Sequence, residues 1–152
     1  MADNMNMLPE EEEVSSVNHR FLTFLCDNLT FAVNTDHVVE IITNFMIRQV
    51  PLVPGYILGI INVRGQIIPV IDMRLRIGKE NSFFDTSCII ILEMESTMIG
   101  LVVDSVSQVL DLDMDSISPV PVENQNELAS SMLALPGGAV VLMLNLASLV
   151  QP

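Results

Sequence analysis

The chain has 152 residues, with six Lys and Arg against nineteen Asp and Glu, for a formal net charge of −13. Such a chain repels phosphate backbones and anionic lipid, which argues against nucleic-acid and membrane-surface binding. Half the residues are hydrophobic, yet no apolar run reaches the length of a membrane span, and the length suits one domain or two small ones sharing a core.

Residues 1–18 carry Asp3 and Glu10 to Glu13 without a base. They have neither the basic nor the apolar region of a signal peptide and read as a disordered acidic tail ahead of a folded domain over 19–152. Cys26 and Cys88 are the two cysteines. With no export signal they read as free, buried thiols in a cytoplasmic protein.

From Arg20 the pattern is β. Phe21–Cys26 and Leu29–Val33 flank Asp27-Asn28 and predict a hairpin. In Asp36–Ile42 the apolar Val38, Ile41 and Ile42 fall at helix-like spacing, and Asn34, Thr35 or Asp36 could cap one helical turn. After the Pro51–Pro54 stretch, the apolar runs Ile57–Val63 and Ile67–Ile71 flank Arg64-Gly65-Gln66. They predict a second hairpin with Arg64 as a charged tip, because Gly65 takes the positive φ that a tight reversal needs. Pro69 lacks an N–H, which predicts an edge or a bulge there. The stretch 78–82 is the best internal boundary. It divides the domain into subdomains over 19–79 and 80–146, followed by a C-terminal segment, 147–152.

The second half repeats the first weakly. A shift of 68 sets Asp36 on Asp104, Val38 on Val106 and Pro51 on Pro119; a shift of 73 sets Gly65 on Gly138 and Asp72 on Asn145. A duplication of this kind predicts two similar small β-barrels with little helix, and a groove between them.

Motifs for catalysis are missing. The chain has no Gly-x-x-x-x-Gly-Lys-Ser/Thr, no Gly-x-Gly-x-x-Gly and no Gly-x-Ser-x-Gly. His19 and His37 have no partner at metal-ligand spacing. Asp111, Asp113 and Asp115 open like a calcium loop, but Ser116 and Val122 stand where that loop needs Gly and Glu. The expectation is a non-enzyme with no cofactor and no metal. Met98, Met132 and Met143 read as core, whereas Met46, beside Phe45 and Arg48, could be an adaptable contact. Glu40 and Arg64 could meet as a bidentate pair, either an ordinary surface ion pair or one that shapes a binding surface.

These same residues carry a family likeness. Val38-Val-Glu-Ile41, Val50-Pro51 and Leu58-Gly-Ile-Ile-Asn-Val-Arg-Gly-Gln-Ile-Ile-Pro-Val-Ile-Asp-Met-Arg74 resemble the signature of the CheW family of bacterial chemotaxis adaptors. Ile99-Gly-Leu-Val-Val-Asp-Ser-Val-Ser-Gln-Val109 and Ile117–Pro121 resemble its second half.

The resemblance implies a mainly β fold of two five-stranded, SH3-like barrel subdomains packed side by side, with short helical segments. It implies a non-enzymatic scaffold that couples the cytoplasmic tips of chemoreceptors to the regulatory domain of a chemotaxis histidine kinase. Such a protein would be cytoplasmic and recruited to membrane-bound receptor arrays. By motif position, Val38, Glu40, Arg64 and Gly100, with Ile89 and Ile90 on the groove face, match the receptor-binding surface. Ile57, Leu58 and Gly59 match the kinase contact. Asn145 stands where family members place Asp, and no Lys or Arg follows position 79. These departures fit a divergent adaptor of a non-swimming pathway, such as one controlling pili, gliding or development. A small-ligand-binding β-barrel sensor is the alternative from another class, and a sizeable empty apolar cavity would support it.

Overall fold

The computed structural model describes residues 20–121, 127–129 and 131–150, so the acidic tail over 1–18 lies outside the described residues. The described chain is mainly β and forms two sheets. Its strands are β1 (Arg20–Cys26), β2 (Leu29–Asn34), β3 (Val38–Ile42), β4 (Ile57–Val63), β5 (Gln66–Asp72), β6 (Cys88–Met94), β7 (Thr97–Val103), β8 (Ser105–Asp111), β9 (Ile117–Pro119), β10 (Ser131–Ala134) and β11 (Val140–Met143). Two four-residue helices, α1 (Met73–Arg76) and α2 (Leu146–Leu149), follow β5 and β11.

Both expected hairpins form. Asp27 and Asn28 both have positive φ, and so do Arg64 and Gly65. Positive φ at both central residues is the two-residue turn whose twist matches that of its strands. The helical turn expected over Asp36–Ile42 does not form. Asn34 caps only a 3-10 turn, Thr35–His37, by accepting from the Asp36 N–H. Val38, Val39, Ile41 and Ile42 then run as β3, antiparallel to β6. Four β-branched side chains in five residues favour a pleated strand over a helix. Pro69 lies in β5 opposite Ile60, but pairing with β7 begins only at Val70. The missing N–H therefore falls where the strand has one neighbour, one residue from a register shift in β4.

One sheet runs β8-β1-β2-β11-β10-β9 and the other β3-β6-β7-β5-β4. The 68-residue shift carries β1 onto β6, β2 onto β7 and β3 into β8. The 73-residue shift carries β4 and β5 onto β10 and β11, and α1 onto α2. Under these shifts the second sheet maps onto the first, strand for strand, with β9 added at the edge. Each copy thus gives its leading hairpin to the other copy's sheet. The boundary expected at 79/80 separates the two copies in sequence but does not separate the two sheets.

That exchange decides where the core sits. The main cluster joins Leu22, Phe24 and Phe31 of the first sheet to Ile71, Ile90, Leu92 and Leu101 of the second. A smaller cluster belongs to each sheet: Phe21, Ala32, Leu133 and Val141 in one, and Ile61, Ile68, Val70, Ile89 and Val102 in the other. With an interior strand buried on both faces, β6 and β7 read as continuous apolar runs.

Candidate partner-binding surface

The two edge strands of the second sheet meet at one point. Glu40 lies on the edge strand β3, and Arg64 tips the hairpin formed with the opposite edge strand, β4. The sheet coils far enough for Arg64 to donate Nη1–H to Glu40 Oε1 at 2.5 Å and Nη2–H to Oε2 at 3.2 Å. Asn62 holds the tip by accepting from the Gly65 N–H at 2.9 Å. Arg64 keeps 75 % of its side chain exposed, while Glu40 keeps 28 %. The hydrogen bond from Arg64 to Glu40 pushes the guanidinium pKa further up, so the tip stays cationic.

Val39 and Ile41, on either side of Glu40, are exposed, as is Ile67 on the hairpin. Successive strand residues project to opposite faces, so Ile41, next to Glu40 in regular register, faces away from it. Beside the pair lies a cavity of 620 Å³, lined chiefly by Ile42, Phe45, Ile47, Ile60, Val63 and Ile67. The cavity is open: Met46, on its rim, is 88 % exposed.

Two glycines build this surface from beneath. A Cβ on Gly59 would drive into the Arg48 carbonyl. Without one, Arg48 and Ile60 exchange backbone hydrogen bonds at 2.9 and 2.8 Å, which seats the 44–48 segment along the cavity. On β7, a Cβ at Gly100 would approach Ile89 Cγ2 to 2.9 Å and Val70 Cγ2 to 3.5 Å.

A second polar assembly ties the sheets together. Arg74, on α1, donates from Nη1 to Asp104 at 2.8 Å, from Nε to the Glu80 carbonyl at 2.8 Å and from Nη2 to Asp27 at 3.4 Å. Asp104 also accepts from the Asp27 N–H, and Lys79 lies 3.5 Å from Asp27. Asp72 is fully buried and accepts from the Arg74 N–H and from Asn81. Burial pushes its carboxyl up, although both hydrogen bonds and the Arg74 charge oppose the shift. Burial, reinforced by Asp104, also pushes the nearby Cys26 thiol up to about 12. Cys26 and Cys88 are both free and buried. A thiol held in that state is inert, and nothing in the assembly is poised as a nucleophile.

The family model described as the CheW-like domain matches residues 20–152. The chain belongs to the CheW family. It is 29% identical over 136 residues to the chemotaxis protein CheW of Rhizobium meliloti, covering 87% of this chain and 88% of that one. It is 32% identical over 107 residues to the chemotaxis protein CheW of Klebsiella aerogenes, covering 70% of this chain and 64% of the relative. The crystal structure of the scaffolding protein TtCheW from Thermoanaerobacter tengcongensis superimposes with a TM-score of 0.76 at 28% identity, over 84% of this chain and 89% of that one.

Within this CheW-like domain the residues singled out by motif fall into three groups. Glu40 and Arg64 come together at the surface. Val38, Ile57 and Leu58 are half-buried and Gly59 is buried. Ile89, Ile90 and Gly100 are interior, and both isoleucines are 0 % exposed. They lie on β6, between β3 and β7, with one side chain in each of two core clusters. No surface of theirs is open to a partner in this conformation. Sequence reasoning missed the Arg74–Asp104 link. Both residues sit inside the motif stretches, Asp72-Met-Arg74 and Gly100-Leu-Val-Val-Asp104, but 30 residues of separation hid their contact. Among the described residues no helix is long and apolar enough to cross a membrane.

Proposed function

We propose that this CheW-family chain is a non-enzymatic, cytoplasmic adaptor that couples chemoreceptors to a chemotaxis histidine kinase in membrane-associated arrays. The observation that carries the reading is the bidentate Glu40–Arg64 pair at the exposed junction of two sheet edges, within a chain of this family. A solvent-facing guanidinium held by Glu40 through two hydrogen bonds, with exposed apolar residues elsewhere on the same hairpin and edge strand, suits recognition of a helical tip with mixed apolar and acidic side chains. Val38, Glu40 and Arg64 form the receptor side, with Gly100 acting from below by seating β6 against β7. Ile57, Leu58 and Gly59 form the kinase side, where Gly59 fixes the path of the adjoining 47–48 segment. Signalling follows from how the adaptor positions the kinase, and the adaptor itself makes and breaks no bonds.

The test is co-sedimentation of the full chain with a receptor cytoplasmic fragment and the kinase, with autophosphorylation recorded in the same tubes. Ternary pelleting with raised kinase activity is expected. Pelleting without activation would favour a divergent adaptor, as of a pathway controlling pili, gliding or development. Failure to associate with either partner would overturn the reading. The small-ligand sensor has less support, because the large cavity is a solvent-open concavity rather than an enclosed chamber.

A further inference from the structure

The cavity beside Arg64 has a chemical character that the partner-binding reading leaves unused. Its lining is chiefly aliphatic and aromatic, and Asn44, Asn62 and Arg48 are its polar members. The Arg48 backbone is fixed by its two hydrogen bonds to Ile60. Its side chain is exposed and makes no ion pair among the described residues. By contrast, Arg20, Arg64, Arg74 and Lys79 each face a carboxylate. An apolar concavity with an unpaired cation beside it calls for an apolar segment directly followed by acid.

The chain itself contains such a segment. Met5, Met7 and Leu8 are followed, after Pro9, by Glu10 to Glu13. Methionine side chains fill irregular apolar hollows well. The segment also reaches. Leu8 is twelve residues from Arg20, a span of up to about 40 Å. Phe21 pairs with Asn34, and Ile42 lies eight residues beyond it, so the cavity edge is at most about 36 Å from Arg20. Tethering gives the chain's own segment a high effective concentration at the cavity that a second copy lacks.

We propose that the segment Met5–Glu13 docks intramolecularly on this cavity, with its methionines on Phe45 and Ile60 and its glutamates toward Arg48. Docked there, it would lie beside Glu40–Arg64 and compete with any partner seated on that pair. The docking itself does not depend on the adaptor reading.

The test places a nitroxide at Asn6→Cys in the full chain, since Cys26 and Cys88 are buried and unreactive. Isoleucine methyl signals are then followed by NMR. Selective loss of the Ile42, Ile47, Ile60 and Ile67 signals at low salt is expected. Arg48→Glu should restore the signals, and Arg48→Lys should keep the loss. Uniform loss, no loss, or loss that persists in Arg48→Glu would overturn the proposal. Mixing spin-labelled chains with isotopically labelled, unmodified ones settles the remaining source. Loss in the mixture would assign the docking to a second copy and overturn the intramolecular assignment.

Discussion

Arg64 and Glu40 are 24 residues apart and stand on opposite edges of one five-stranded sheet, yet they share a two-bond contact. Three strands lie between β3 and β4, and the coil of the sheet brings the edges together. The pair therefore reports the sheet's closure at that end as well as marking the surface.

Because Arg64 is largely exposed, the pair adds little to folding. Arg64→Ala is expected to leave thermal unfolding unchanged while weakening receptor pelleting roughly tenfold, the scale of one lost interface anchor. Arg64→Lys should recover only part of it, since an ammonium cannot hold Glu40 with two parallel bonds. Normal receptor binding and kinase activation by Arg64→Ala would remove this residue from the receptor surface.

The Arg74 assembly predicts the opposite balance. Its guanidinium is mostly buried and serves Asp104, Asp27 and the Glu80 carbonyl together. Arg74→Ala would leave two part-buried carboxylates, Asp104 without its cation and Asp27 with Lys79 alone, a loss of about 1–3 kcal/mol. Denaturant unfolding measures it. Arg74→Lys should recover less than half, because a point charge cannot satisfy three directions at once. A variant as stable as the parent would show that the link between the sheets is dispensable.

Strand identity was legible where local chemistry decides it. The Asp27-Asn28 and Arg64-Gly65 turns, and the apolar runs around them, carry both hairpins in sequence. The run Val38–Ile42 misled, because helix-like spacing and β-branching point in different directions and the pairing with β6 settles the matter. The exchange of hairpins between copies left no trace in the sequence. Strand partners are chosen by tertiary packing, and β2 beside β11 or β7 beside β5 offers similar local patterns. The full burial of Ile89 and Ile90 was hidden for the same reason: an interior strand and a groove wall are equally apolar in sequence. Arg64 was legible because a charge on a tight turn has nowhere to go but out.

Asp72 predicts a pH signature. Its folded pKa lies above the ordinary value of 3.8, chiefly through burial. The folded state then holds this proton more tightly than the unfolded state. This residue's contribution is most favourable below pH 3.8 and is lost as pH rises through the raised folded pKa. In Asp72→Asn that loss is absent. The stability of the variant minus that of the parent should therefore increase with pH across this window, read from urea midpoints at a series of pH values. A difference that is flat or falls with pH would mean that the hydrogen bonds from Asn81 and Arg74 outweigh burial.

Cys26 gives a chemical readout of the same region. With its thiol pushed up to about 12, almost no thiolate exists at pH 8, and burial denies access as well. Folded protein should resist iodoacetamide, and both cysteines should be labelled once urea unfolds the chain. Rapid labelling of Cys26 in native conditions would show that the junction between α1 and the first hairpin opens without global unfolding.

Gly100 tests whether a motif residue acts through the surface or the core. Its added Cβ would press on Ile89 Cγ2 at 2.9 Å, inside ordinary contact. Gly100→Ala is expected to lose about 1–3 kcal/mol from overpacking. Ile89→Ala alone loses about 2–5 kcal/mol by leaving a cavity. In the double variant the new methyl faces the vacated space, so its loss should be smaller than the sum of the two. Receptor pelleting by the same three variants should follow their stability, because Gly100 reaches the surface only by placing β6, and through it β3 with Glu40. A Gly100→Ala protein of parental stability that no longer binds receptor would place the partner on Gly100 itself.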